Sequence, residues 1–228
     1  MGIGHFAVGL ALKNAEPRLN AGALIFAAYL SDFLLGLFVW FGLETYHVPG
    51  DLAAKHYLTF TFPYSHGLAA SFFWSALAGS LFYAGIPASA PAIRKRAVAV
   101  VAIAVLSHFI LDALVHVVGL PVLGYDSYKV GLGFWEHLEL ELLLEVAMVV
   151  FGLMVYLNCT KEKNQIGRFG MIVLLSLLTP LMVVGQVTMT RVPPQTALIG
   201  SWILTPLILA SIAFWLDRQR TRVGVGES

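Results

Sequence analysis

The sequence predicts an all-α protein: a polytopic membrane helix bundle of about six transmembrane helices, preceded by a short N-terminal half-helix. Three observations predict it. Of the 228 residues, 58% are hydrophobic and only 12% are charged, where a soluble domain carries about 25% charge. The mean hydropathy is +0.80. Apolar runs of about 20 residues recur along the chain, each long enough to cross the hydrocarbon layer as a helix.

The first twelve residues are apolar but too short to span, so they read as a half-helix or an interfacial segment. They are no ordinary signal peptide, because no basic residue precedes the apolar part. Asn14-Ala15-Glu16-Pro17 breaks the run and offers a helix start. The first span covers about 19–43, with Asp32 in its middle and Glu44 at its end. A polar loop, about 45–62, holds His47 and His56, which read as solvated. The second span, about 64–86, opens with Pro63-Tyr64-Ser65-His66. Pro87 and Pro91 mark the loop before the third span, about 97–119. A Gly-rich loop leads to the fourth, about 133–157. The fifth, about 169–189, holds Pro180, and the sixth, about 197–216, holds Pro206. The whole chain, 1–228, reads as one integral-membrane domain. Its metal-site helices lie within 1–158, and two accessory helices lie within 167–217.

Lys and Arg set the orientation. Lys13 and Arg18, Arg94-Lys95-Arg96, Lys161, Lys163 and Arg168, and Arg218, Arg220 and Arg222 all fall on one side of a six-span chain. The other side has Lys55, Lys129 and Arg191. Both termini are therefore expected on the cytoplasmic side of a cell (inner) membrane. The net charge of +1 gives no reason to expect a nucleic-acid partner. The single cysteine, Cys159, excludes an internal disulfide and a multi-cysteine zinc site.

The unusual feature is acidic charge inside the spans. Asp32, Asp112, Glu139, Glu141 and Glu145 fall within the first four, and no Lys or Arg accompanies them. Carboxylates in hydrocarbon cannot stay ionised without a counter-charge. They are either protonated, as in a proton pathway, or bound to metal cations. Histidine tilts the reading towards metal. His108, Asp112 and His116 recur at steps of four and form one stripe on a helix. Imidazole and carboxylate suit zinc, whereas the plain alternative is a polar stripe that joins helices by hydrogen bonds. His137 and Glu141 form a second such pair, and Glu145 extends its face.

At a rise of 1.5 Å per residue, His116, Asp112 and His108 lie roughly 5, 10 and 16 Å below the outer end of their span. His137, Glu141 and Glu145 lie about 6, 12 and 18 Å below theirs, so the two stripes match in level. Asp32 and His66 can join them. His5 can do so only if the first twelve residues re-enter the membrane. Trp74, Trp135 and Tyr64 read as interface anchors or packing. Spans five and six lack charge in their cores and read as packing partners or as a wall of a lipid-facing cavity; Gln186 is their polar exception.

Gly4-His5-Phe6, Asp32, Ser65-His66 and Ser107-His108-x-x-x-Asp112 together resemble the bacterial membrane-bound metal-dependent hydrolases of the YdjM type. That similarity covers roughly residues 1–150 in motif order, and the order of ligand types is also similar to the zinc-dependent phospholipase C and single-strand nuclease family. The second resemblance implies a cluster of one to three zinc ions and cleavage of phosphodiesters. Its ligands would be His5, Asp32, His66, His108, Asp112, His116, His137 and Glu141, with Asp32 as the favoured base. The chain departs from that family in its membrane spans. It also has Met1 where those enzymes use the amino group of an N-terminal tryptophan.

The function expected is thus a membrane-embedded metal-dependent hydrolase of a phosphoester, with Asp32 or Glu145 handling the water proton. Membrane lipids or a lipid-linked phosphoester are the expected partners. The alternative is a transporter or channel that uses the same groups as a proton or metal-ion path. A metal-free lipid phosphatase would need Lys or Arg around the phosphate, and the spans supply neither. A pure scaffold would leave the acidic load unexplained.

Overall fold

A computed structural model describes residues 2–85 and 91–223. Met1, Ile86 at the expected end of the second span, Pro87 and the last five residues lie outside the described residues. The protein is a helical bundle. Among the described residues five helices are long and apolar enough to cross a membrane, or six if a bent pair counts as one span.

The N-terminal segment is a ten-residue helix, α1 (Ile3–Leu12). It is not laid along the surface. It enters the bundle and buries Phe6 and Leu10 completely, packed between α7 (Leu138–Cys159) and α2 (Ala21–Ala28). Two glycines permit that approach. A Cβ on Gly152 of α7 would stand 2.4 Å from the Ala7 carbonyl oxygen, and one on Gly9 would stand 2.7 Å from the Ile25 backbone.

The first span is broken. α2 starts on Asn20, whose side chain accepts from the Gly22 N–H as an N-cap, and it stops at Ala28. α3 (Leu30–Trp40) then leaves at 50°. No Pro or Gly marks the break at Tyr29, which is why the sequence reads there as one rod.

α5 (Leu68–Gly85) begins four residues later than expected, because residues 63–67 form turns. It pairs with α6 (Pro91–Val115) as a hairpin. α8 (Gln165–Val187) and α9 (Gln195–Asp217) follow α7. α9 lies along α2 and α3, and α8 makes the looser wall.

The loops at one end contain two small antiparallel hairpins. One pairs β1 (Thr45–His47) with β2 (Thr59–Thr61), flanking a short turn of helix, α4 (Leu52–Lys55). The other pairs β3 (Leu120–Pro121) with β4 (Lys129–Val130). At the opposite end β5 (Thr160–Glu162) pairs with β6 (Arg220–Arg222). There Lys13 Nζ donates to Asp217 Oδ2 at 2.7 Å and ties α1 to α9. Arg220 donates to the Thr160 hydroxyl, the Thr160 carbonyl and the Gly167 carbonyl. Lys13, Arg18, Lys163, Arg218 and Arg222 share this end, and Arg96 reaches Glu16 there at 3.9 Å.

Candidate metal centre

Six of the expected ligands meet in one place, near the end of the bundle that carries the β1–β2 and β3–β4 hairpins. His5 comes from α1, Asp32 from the first turn of α3, and His66 from the turn before α5. His108 and Asp112 lie on α6, and His116 continues the helical path one residue beyond its end, its N–H bonded to the Asp112 carbonyl. The stripe at steps of four therefore faces inward as a unit.

Asp112 is the hub. Its Oδ1 lies 3.3 Å from His5 Nε2. Its Oδ2 lies 3.3 Å from His108 Nε2, 3.3 Å from His116 Nε2 and 3.5 Å from His66 Nε2. Asp32 Oδ1 approaches from another side, 3.5 Å from His66 Nε2 and 3.7 Å from His108 Nε2. The His5 ring stacks on His108 with centroids 3.8 Å apart. Two trios have ligand atoms mutually close enough for one ion: His5, Asp32 and His108, and His66, His108 and Asp112. They share His108.

The imidazole protons can be placed by their partners. His108 Nδ1 lies 2.8 Å from the Ala28 carbonyl oxygen. A carbonyl only accepts, so Nδ1 carries the hydrogen, and in the neutral ring Nε2 presents a lone pair. The break at Tyr29 supplies this acceptor, since carbonyls at a helix end lack an intrahelical partner. His66 Nδ1 lies 2.8 Å from Ser65 Oγ. That hydroxyl donates to Glu44 Oε2 at 2.6 Å, while the Tyr64 and Ser65 N–H groups donate to Oε1. With Glu44 ionised, Ser65 spends its hydrogen on the carboxylate, so His66 Nδ1 must donate and Nε2 is bare. His108 Nε2 and His66 Nε2 then face each other 3.1 Å apart. In neutral rings two bare lone pairs repel, and a metal cation or a shared proton between them removes the conflict. His5 adds a second sign. It is completely buried; among the described residues its Nδ1 has no hydrogen-bond partner, and its Nε2 faces Asp112 Oδ1. Buried histidine and aspartate groups of this kind can hold a metal ion.

Glu44 lies outside the spans. Burial pushes its carboxyl up from the ordinary value, against the opposing pull of the hydrogen bonds from Ser65 and Tyr64.

The fourth-span stripe goes elsewhere. His137 immediately precedes α7 and is exposed. Glu141 is completely buried; among the described residues neither of its carboxylate oxygens has a hydrogen-bond partner, and it belongs to neither trio. Glu145 accepts from the N–H groups of Gly2 and Gly4 and so satisfies the open amides at the start of α1. The half-helix stands between α7 and the cluster, and that position was not visible in the spacing.

The surroundings contain residues that the sequence did not single out for the site. Phe60, Phe62, Trp135 and Trp202 line a cavity of about 190 Å³ with Asp32, His66, Asp112 and His116. Trp135, expected as an interface anchor, lies over His116 with ring centroids 3.8 Å apart. Gln186 faces the same cavity. The aromatic residues carried no spacing that points to the site, and Gln186 stood out only as a polar residue in an apolar span.

Access is uneven. The side chains of His5, His66, His108, Asp112 and His116 are each 7% exposed or less, whereas that of Asp32 is 26% exposed. No protein-family profile, no curated protein and no solved structure matches the chain.

Proposed function

We propose that this chain is a membrane-embedded, metal-dependent hydrolase, that the metal is zinc, and that the bond cleaved is a phosphoester. The facing Nε2 atoms of His66 and His108 carry the reading. Ligand atoms around tetrahedral zinc stand about 3.4 Å apart, given bonds of about 2.0–2.2 Å. Five of the separations, those joining His66, His108, Asp32 and Asp112, run from 3.1 to 3.7 Å. Four imidazoles and two carboxylates form a nitrogen and oxygen donor set that suits zinc. The ligand order and the Ser-His and His-x-x-x-Asp motifs, similar to those of the YdjM-type and zinc phospholipase C families, support the same reading.

Zinc at such a site supplies Lewis acidity and lowers the pKa of water. The chain supplies the rest. Asp32 is the cluster carboxylate open to both adjoining cavities, and it accepts the water proton as general base. Asp112, closed in by four histidines, holds the imidazoles in place. Glu145 holds α1, and with it His5. The membrane is the inner membrane, with the basic end of the bundle and both termini on the cytoplasmic side; the gathering of the basic segments at one end supports this.

An ion path is less favoured. Phe6, Leu10 and Ile25, all completely buried, fill the bundle between His5 and the Lys13–Asp217 pair, and a conduit would have to pass them.

The test is elemental analysis of purified protein together with hydrolysis of bis(p-nitrophenyl) phosphate. Stoichiometric zinc and zinc-dependent turnover in the wild type, both lost in His108→Ala, are expected. Metal-free wild-type protein purified without chelator would overturn the reading.

A further inference from the structure

The exposed side of the metal cluster opens sideways. Asp32 lines a second cavity of about 390 Å³, distinct in character from the aromatic one. Its walls are Leu178 and Met182 of α8, and Trp202, Thr205 and Leu209 of α9. That volume lies within the range of ligand cavities, roughly 300–1,000 Å³. Asp32, Trp202 and Gly2 line both cavities, so the two meet at the cluster.

The outer faces of the same two helices are apolar. Leu177, Leu181, Val184, Leu204 and Ile208 are all more than half exposed. Such faces are at rest only in hydrocarbon. The cavity therefore joins a hydrocarbon medium on one side to a reactive carboxylate on the other. Pro206, which also lines the cavity, has no N–H to donate to the Trp202 carbonyl one turn back.

We propose that the slot between α8 and α9 is the acyl-chain site of an amphiphilic phosphoester substrate, which enters from the bilayer with its phosphate towards Asp32. The proposal rests on the hydrolase reading and names its substrate class. The chain lies against Leu178, Met182 and Leu209, and the ester sits between Asp32 and Trp202. Water reaches Asp32 through the aromatic cavity, from the other side. Substrate and water thus arrive by separate routes.

The first test does not need turnover. The protein is placed in nanodiscs whose phospholipids carry bromine on the acyl chains, and Trp202 emission is taken as the difference between wild type and Trp202→Phe. Bromine in the slot quenches that difference signal. Thr205→Phe fills the slot and is expected to restore at least half of it. A Trp202 signal that is not quenched, or that Thr205→Phe leaves unchanged, overturns the proposal. So does disulfide cross-linking of Leu181→Cys into a dimer, because a second copy would then cover the slot.

The second test compares turnover of dioleoyl and dibutyryl phosphatidylglycerol. The wild type is expected to favour the long chains, and Thr205→Phe is expected to cut that preference at least tenfold, through KM. An unchanged preference overturns the proposal. Absence of turnover with both lipids and with bis(p-nitrophenyl) phosphate would remove the hydrolase reading, and the quenching would still decide the slot.

Discussion

His5 lies face to face with His108, ring centroids 3.8 Å apart and planes 7° from parallel, although one residue is on the first helix and the other is deep in α6. Stacked imidazoles in a closed interior disfavour protonation of both rings at once, because two imidazolium rings at that distance repel. The contact couples the placement of α1 to the occupancy of the centre.

Replacing His108 with Ala removes the residue common to both trios. Zinc content of the purified protein is expected to fall below a tenth of the wild-type value, with the helical circular dichroism retained. Asp112→Asn is expected to act similarly, because four histidines lean on that one carboxylate. Near-stoichiometric zinc in either variant would contradict the assignment.

Asp32→Asn separates base from ligand. The amide oxygen can still coordinate but cannot take up a proton. Hydrolysis is expected to fall about 10²- to 10⁴-fold while zinc is kept. Simultaneous loss of metal and activity would take the base role away.

Glu44 tests the proton placement on His66. In Glu44→Gln the amide accepts from the Tyr64 and Ser65 N–H groups and donates to Ser65 Oγ. The serine must then donate to His66 Nδ1, and the hydrogen moves to Nε2. Zinc affinity is expected to weaken about 10- to 100-fold, read by competition with a chromogenic chelator. Protonating Glu44 does the same in the wild type. Burial raises its pKa, so affinity should begin to fall, as pH is lowered, above the pH at which an ordinary glutamate protonates. The variant should lack that part of the pH profile. Equal profiles would refute the relay.

Glu145→Ala leaves the Gly2 and Gly4 amides without their acceptor. A loss of about 1–3 kcal/mol is expected, seen as faster hydrogen exchange in α1 than in α6. Gly152→Val should be worse, because its Cβ would stand 2.4 Å from the Ala7 carbonyl oxygen. In both variants zinc should bind more weakly, because His5 leaves with the helix. Unaltered exchange in α1 would show that its seat lies elsewhere.

The long spans and the His108–Asp112–His116 stripe were legible, since hydropathy and a spacing of four survive in any helical packing. His5 was legible only as a condition, and α1 meets it by burying itself between α7 and α2. The break at Tyr29 was hidden, because it carries neither Pro nor Gly and is fixed by packing and by the His108–Ala28 contact. Spacing showed that Glu141 and Glu145 share a face with His137. It carried no information on which neighbour that face meets, and the neighbour is the start of α1. Trp202 and the aromatic lining were silent for the same reason: a lone aromatic in an apolar helix has no period to betray its direction.

The Lys13–Asp217 tie has a consequence for biosynthesis. A ribosome delivers α1 early, yet two of the elements that hold it, α7 and Asp217 at the end of α9, emerge more than a hundred residues later. A product that stops before α9 would leave Lys13 without its Asp217 partner even with all six ligand residues present.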